Sequence, residues 1–525
     1  MQPIRRGGLG QLGPWVQKET YWLTRFVMLR WLGFIYLVAF YAAARQLVPL
    51  VGANGLTPAP LFLEQLRQNG VGFISLPMLF WFDCSDTALR VVPWIGVALS
   101  CVVLAGYTNA LMMGVLWFLY MSIVHVGQSW YGYGWEIQLL ETGFLAIFLC
   151  PLLDARPFPS RAPPLPVIFL FRWLIVRIML GSALIKLRGD SCWTDFTALY
   201  YFFETQPIPN PVSAWFHFLP HPLLQAGVGV TYLVELVAPF FVFWPRWGRT
   251  IAGLLIASFQ ATLIVSGNFS FFNWLTILPA LACLDDRFWG LLFPTYLKSC
   301  ATEALLAEKP SRAMRGTAWT VTVLVVFLSI NPLNSTPEGQ FDPLNNPVGN
   351  LLSSNQRMNT SFDPLELVNT YGAFGTVGRD RPTIIFEGSD SADPATATDW
   401  KEYPYVGAPW DPARAPVQVA PYQPHLDWQL WFAAMADYRY YPWTLNLVWK
   451  LLHNDPDTLS LFGGNPFPDH PPRYIRAVLY NYKFAKPGNP EHVYWTRERL
   501  NLWLPPFSVN SDDLKEALRQ EGWLP

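Results

Sequence analysis

From Phe26 to about Ile330 the chain is dominated by long apolar runs, and these limit its possible folds more than any other feature. Runs of about 17 to 25 apolar residues have the length an α-helix needs to cross the ~30 Å hydrocarbon core of a bilayer, and a helix satisfies its own backbone in lipid where an open strand cannot. Charged residues make up only 14 % of the 525 residues, too few for an ordinary globular surface. The pattern predicts spans near 26–48, 88–107, 109–127, 135–153, 166–187, 222–244, 250–267, 269–284 and 316–331. Beyond Ile330 the chain becomes rich in Pro, Asp, Asn and Trp. The expected architecture is an α-helical polytopic membrane bundle of about nine spans over residues 1–331, a linker or extended arm over 332–361, and a mixed, β-rich extramembrane domain over 362–525.

The first run exceeds a signal-peptide core and reads as an uncleaved span. Arg5, Arg6, Lys18 and Arg25 precede it, Arg156 and Arg161 follow the fourth span, Arg246 and Arg249 the sixth, and Arg287, Lys298, Lys309, Arg312 and Arg315 precede the last. The positive-inside rule then places the N-terminus in the cytosol and the loops 49–87, 128–134 and 188–221 outside. An odd number of spans delivers the C-terminal domain to the same outer side, periplasmic in a bacterial inner membrane or lumenal in the endoplasmic reticulum. In that domain 382–389 and 414–421 alternate like short strands, and helices are expected over 428–435, 445–453 and 512–520. A net charge of −1 without a basic cluster argues against a nucleic-acid partner. Scattered histidines, with no CxxC or HExxH, argue against a metal site, and no cofactor is expected. The absence of a Gly-x-Ser-x-Gly elbow excludes an α/β-hydrolase lipase.

Ionisable residues inside apolar spans are costly and face a partner or a cavity. Here they are Glu136, Glu141, Arg172, Arg177, Lys186 and Glu235, with Gln260, Asn268 and Asn273 extending the polar set. One reading is interhelical pairing of Arg172 or Arg177 with Glu141 or Glu235; the other is a substrate or lipid-headgroup cavity. Cys84 and Cys192 fall in outer loops, where an oxidising compartment would allow a disulfide. Trp428 and Trp431 stand at helical spacing beside His425 and Asp427, either as a core stripe or as an exposed aromatic patch for a client. Asn268, Asn334 and Asn359 begin glycosylation sequons, relevant in a eukaryotic host.

Two segments are more specific: Gly189-Asp190-Ser191-Cys192-Trp193 and Glu204-Thr-Gln206-Pro-Ile-Pro-Asn210-Pro. They resemble the hallmark loop of the lipase maturation factor family. Similar family blocks are Trp135 to Ile147, Glu235 to Phe241, Gln260 to Thr276, Asn369 to Phe374, Glu387 to Ser389, His425 to Ala434 and Pro472 to Ala477. The resemblance implies a multi-pass folding or assembly factor that helps secreted lipases of the lipoprotein-lipase type reach an active state in the endoplasmic reticulum. Its implied partners are a client lipase or other exported protein, and membrane lipid; oligomeric state stays open. The membrane half is more distantly similar to the transmembrane domain of vitamin K-dependent γ-glutamyl carboxylase, in which a lysine followed by Leu and an Asp-x-Asp-Trp element supplies a base. Lys186-Leu187 followed by Asp190 and Trp193 matches that element in part, with Cys192 beside the Trp. This implies the alternative of a membrane enzyme using Lys186 as base on a lipid or quinone-like substrate. Against it, Lys186 reads as a lysine snorkelling from a helix end. The proline-rich Gln206 to Pro211 reads as a client-facing loop, a re-entrant lid or structural punctuation.

Overall fold

Every one of the nine apolar runs is helical, but they are not equal in length. The computed structural model describes residues 19–333 and 357–524. Arg5, Arg6, Lys18, the Asn334 sequon and most of the expected linker lie outside these residues. The membrane half comprises α1 (Trp22–Val51), α2 (Ala59–Gln68), α3 (Asp86–Ala105), α4 (Ala110–Val126), α5 (Gly134–Ile147), α6 (Leu165–Arg188), α7 (Ser191–Thr194), α8 (Leu199–Thr205), α9 (Ser213–His217), α10 (His221–Tyr232), α11 (Arg246–Ser266), α12 (Phe272–Leu281), α13 (Asp286–Leu292), α14 (Thr295–Leu306) and α15 (Arg312–Leu328). Among the described residues six helices are long and apolar enough to cross a membrane: α1, α3, α6, α10 with its continuation to Phe241, α11, and α15 continued to Pro332. The helices α4, α5 and α12 have 17, 14 and 10 residues. At 1.5 Å per residue they reach roughly 26, 21 and 15 Å, short of a ~30 Å core. The expected nine full spans therefore become six long helices and three short ones. The fourth expected run is cut before Cys150-Pro151, where a residue preceding proline is driven out of helix, and the eighth is trimmed by Ser270 at φ 53°.

Contacts sort the helix ends into two layers. At one end Asp286 caps α1, accepting from the backbone N–H of Trp22 at 2.8 Å and Leu23 at 2.7 Å. Arg25 donates there to the Arg161 carbonyl at 2.7 Å, and Arg161 in turn to the Lys309 carbonyl at 2.6 Å. Arg172 joins the same layer through the Ala282 carbonyl at 3.0 Å. The opposite layer holds the loops after α1, α4, α6 and α11, and the C-terminal domain rests on it. Inside the bundle α1 and α3 cross closely because Gly96 lacks the Cβ that would strike the Phe40 ring.

The C-terminal domain is built on one antiparallel sheet in the order β2-β1-β3-β4, from β1 (Arg381–Ser389), β2 (Lys401–Glu402), β3 (Tyr474–Phe484) and β4 (Trp495–Phe507). The expected strand at 382–389 is β1, and the expected helices are α16 (His425–Ala433), α17 (Trp443–Leu451) and α18 (Asp512–Gln520). The expected strand at 414–421 is absent. Pro416 and Pro421 supply no backbone donors, and the N–H groups of Val419 and Ala420 both donate to Asn268 Oδ1 at 2.9 Å instead of to a sheet neighbour.

Candidate functional site

Many of the polar residues singled out from the sequence gather where one layer of helix ends meets the C-terminal domain. Glu141 on α5 is fully buried and pairs with Arg177 on α6. The same carboxylate accepts from Tyr371 Oη at 2.6 Å and from the Asn369 backbone and side-chain amides at 3.2 and 3.3 Å. Arg177 also donates to the Asn369 carbonyl at 2.9 Å. One of the expected interhelical pairs thus exists, and it extends into the outer domain.

The signature loop continues this junction. Asp190 caps α7 by accepting from the Cys192 N–H at 3.0 Å and takes both Arg379 Nη atoms at 2.8 Å. This guanidinium holds the Asp190 carboxyl well below the usual carboxylate range. Trp193 Nε1 donates to the Phe374 carbonyl at 2.8 Å, and Glu204 Oε1 accepts from the Phe484 N–H at 2.6 Å. Gln206 ties its loop together through Ser213 Oγ at 2.8 Å and holds it to the end of α11 through the Ser266 carbonyl at 3.1 Å. Asn210 reaches the Val265 carbonyl at 2.8 Å and Gln418 Oε1 at 3.1 Å, while the Pro207 carbonyl accepts from Arg381 at 2.8 Å. Residues 202–210 are all buried. The proline-rich segment through Asn210 is therefore seated between bundle and outer domain, and is not a client-facing surface; its prolines are tolerated because few of its backbone donors are needed.

Asn268 closes the junction on another side, donating to the Val417 carbonyl at 2.8 Å while its Oδ1 holds Val419 and Ala420. Buried to 1 % exposure, it is not a glycan acceptor; Asn359 donates its side-chain amide to the Gly372 carbonyl at 2.7 Å. Gln46, at the end of α1, donates to the Gln423 carbonyl at 2.7 Å and accepts from the His425 N–H at 2.9 Å.

His425, Asp427 and Trp428 are core residues at 1, 1 and 3 % exposure, which corrects their assignment as a client contact. Trp428 packs edge-on against Trp135 at 4.9 Å, and the half-buried Trp431 donates to the Thr205 carbonyl at 3.0 Å. Asp427 accepts from the Gly407 and Ala408 N–H groups at 2.7 and 2.8 Å, yet burial pushes its carboxyl up to about 6. Burial also drives His425 down to about 3, so this imidazole is neutral.

Within the bundle Lys186 and Glu235 form a second pair, with Nζ donating to the two carboxylate oxygens at 2.8 and 2.7 Å and to the Ser182 carbonyl at 3.3 Å. Glu235 lies in a π-turn, Leu233–Val237, which rotates its side chain toward α6. Lys186 is buried at 4 % exposure, over the Trp193 ring at 5.2 Å, and does not snorkel. Glu136 accepts from Tyr120 Oη, and Asn273 donates to Gln260 Oε1 at 2.7 Å. Arg172 lies at the end of the bundle remote from the C-terminal domain, on Ala282 and Tyr21, apart from both glutamates. Cys84 and Cys192 are free. They occupy different environments, Cys84 among Asp83, Asp86 and Arg67 and Cys192 beside Asp190 and Arg379, and burial pushes both thiols up to about 11.

The lipase maturation factor transmembrane domain matches residues 23–291, and the lipase maturation factor C-terminal domain matches residues 367–505. Lipase maturation factor 1 of Homo sapiens is 41 % identical over 96 % of this chain and 91 % of its own length. The chain belongs to the lipase maturation factor family. Lipase maturation factor 1 of Mus musculus is 42 % identical over 96 % of this chain and 90 % of its own, and lipase maturation factor 2 of Homo sapiens 29 % over 95 % and 85 %. No solved structure matches. In this lipase maturation factor the junction residues that carry no role in the sequence reading are Gln46 on the bundle side and Asn369, Tyr371, Arg379, Arg381 and Gln423 on the C-terminal side. Asn369 and Tyr371 stand in a recognisable family block, but their partner Glu141 is more than 200 residues away.

Proposed function

We propose that this protein is a membrane-anchored maturation factor for lipases, and that the bundle holds the outer domain as a rigid platform on which an immature client folds or assembles. The observation that carries the reading is the buried junction: Asp190, Glu204, Gln206, Asn210 and Asn268 are all engaged in fixing domain to bundle or in shaping the loop that does so. The relatives' shared name supplies the client class. Alternation of helix ends between two layers supports an N-terminus on the cytosolic side and the platform on the opposite side, facing the endoplasmic reticulum lumen or the periplasm. Membership of the family and near full-length coverage of the relatives support the maturation role.

The enzymatic alternative requires a free lone pair on Lys186 Nζ. Three acceptors occupy the three donors of its ammonium, and we take the pair as a helix clamp. The test is co-expression of the full chain with a secreted lipase of the lipoprotein-lipase type in cells lacking their own maturation factor. Secreted lipase activity should fall with junction variants such as Glu141→Ala and survive in Lys186→Met/Glu235→Leu. Loss of activity in that double variant, with the protein folded at normal abundance, would favour chemistry at Lys186.

A further inference from the structure

A cleft of about 1050 Å³ opens between α6 and α15. It is lined along α6 from Leu165 past Phe169 and Trp173 to Leu184, and on the opposite wall by Ala318 and Thr322. The 19 residue steps from Leu165 to Leu184 rise about 29 Å, the full ~30 Å depth of a hydrocarbon core. Its walls are mostly apolar over that depth, interrupted by Arg177, which is paired with Glu141, and its other charges lie at the inner mouth, where Arg161, Lys309 and Arg315 face Glu19 and Glu308. Glu19 is paired with Arg249 at 3.0 Å, leaving three cations against one carboxylate. Arg161 donates to the Lys309 and Pro310 carbonyls at 2.6 and 2.9 Å, which fixes the mouth to the loop before α15. The outer end of the cleft is closed by Asn369, Thr370 and Tyr371, the residues that dock the outer domain.

We propose that this cleft is a lipid site, occupied by acyl chains along α6 and selecting at its inner mouth an anionic phospholipid whose phosphate meets Arg161, Lys309 and Arg315. The mouth's excess positive charge matches a phosphate, and the depth matches two leaflets end to end. Because the cleft ends on Asn369 to Tyr371, an acyl chain filling its far half, from a lipid of the opposite leaflet, packs beneath the junction and steadies the outer domain. The inference rests on the membrane embedding of the bundle and not on the identity of any client.

Native mass spectrometry of the full chain, equilibrated with mixed phosphatidylglycerol and phosphatidylcholine, tests the site. Phosphatidylglycerol should be retained selectively, and Lys309→Gln/Arg315→Gln should weaken that retention about 30-fold, about 5-fold for each cation removed. Thr322→Trp, which fills the middle of the cleft, should displace both lipids, and a diazirine-bearing acyl chain should label the α6 and α15 peptides in the unmodified chain. Equal retention of the two lipids, undiminished phosphatidylglycerol in the glutamine variant, or labelling spread evenly over all lipid-facing helices would each overturn the proposal. So would a dimer dissolved by Thr322→Trp, which would assign the cleft to a second copy's helix. The glutamine changes are at the exposed mouth and leave the core intact, so this arm reads independently of any folding defect in Thr322→Trp.

Discussion

Two buried ion pairs hang from the same helix, α6, and they are satisfied in different ways. Lys186 and Glu235 are closed on each other, with both carboxylate oxygens given to one ammonium. Arg177 and Glu141 are shared, because that carboxylate also receives Tyr371 and Asn369 from the outer domain. A pair that only joins helix to helix can be complete in itself. A pair that must dock a polar segment at a lipid-facing bundle needs surplus acceptor capacity, and a carboxylate with four lone-pair sites provides it.

The comparison breaks most visibly if one partner of each pair is removed. Truncating one member of a buried pair typically costs about 3–5 kcal/mol, since the other charge is left unmatched. Glu141→Ala should therefore destabilise by that amount and also release residues 367–372, seen as a loss of hydrogen-exchange protection in that segment. Lys186→Met should cost a similar amount in thermal unfolding while 367–372 stays protected. If both variants expose 367–372 equally, the division between helix clamp and domain anchor fails.

The comparison is sharpened by replacing both partners at once. Apolar replacement of a whole buried pair is often neutral or stabilising by about 1–4 kcal/mol. Lys186→Met/Glu235→Leu should recover most of the stability lost in the single variant. Arg177→Met/Glu141→Leu should not, because Asn369 and Tyr371 remain buried without their acceptor. Unfolding midpoints of the two double variants in one detergent decide the matter; equal recovery would mean that the outer-domain donors contribute little.

The helical half could be read from the sequence because lipid enforces a simple periodicity, and all nine apolar runs are helices. Their lengths could not be read as well. Composition does not show that α12 begins only after Ser270 turns through positive φ, or that Pro151 ends the fourth run early. Site residues were legible by type: Glu141, Arg177, Lys186 and Glu235 are costly where they stand, and all four are paired. Which glutamate met which cation was settled by a π-turn at Glu235 and by a tyrosine from the other domain, neither of which leaves a local signal. The proline-rich Gln206 to Pro211 admits three readings, client-facing loop, re-entrant lid or structural punctuation, because proline density marks a turn and not what covers it; residues 206–210 are buried because the C-terminal domain lies over them.

The smaller effects come from two aspartates that respond to pH in opposite directions. Asp427 is pushed up to about 6 by burial that outweighs its two backbone donors. A carboxyl with a raised folded-state pKa stabilises fully below its unfolded value near 4 and loses that contribution as pH rises through about 6, an upper estimate of about 3 kcal/mol. Asp427→Asn, whose Oδ1 keeps both acceptor roles, should flatten the stability profile between about pH 4 and 6. Asp190 is held low by Arg379, so its contribution is present above the ordinary carboxylate range and is lost as pH falls. Arg379 is 42 % exposed, and solvent screening limits the pair to about 1 kcal/mol or less. Arg379→Ala should therefore lower stability slightly at neutral pH and not at all in acid, where Asp190 is protonated in both proteins. Chemical unfolding of both variants at matched ionic strength separates the slopes: a loss at acid pH in Arg379→Ala would mean that the guanidinium acts through its packing on the Tyr201 ring, 4.9 Å away, and not through charge.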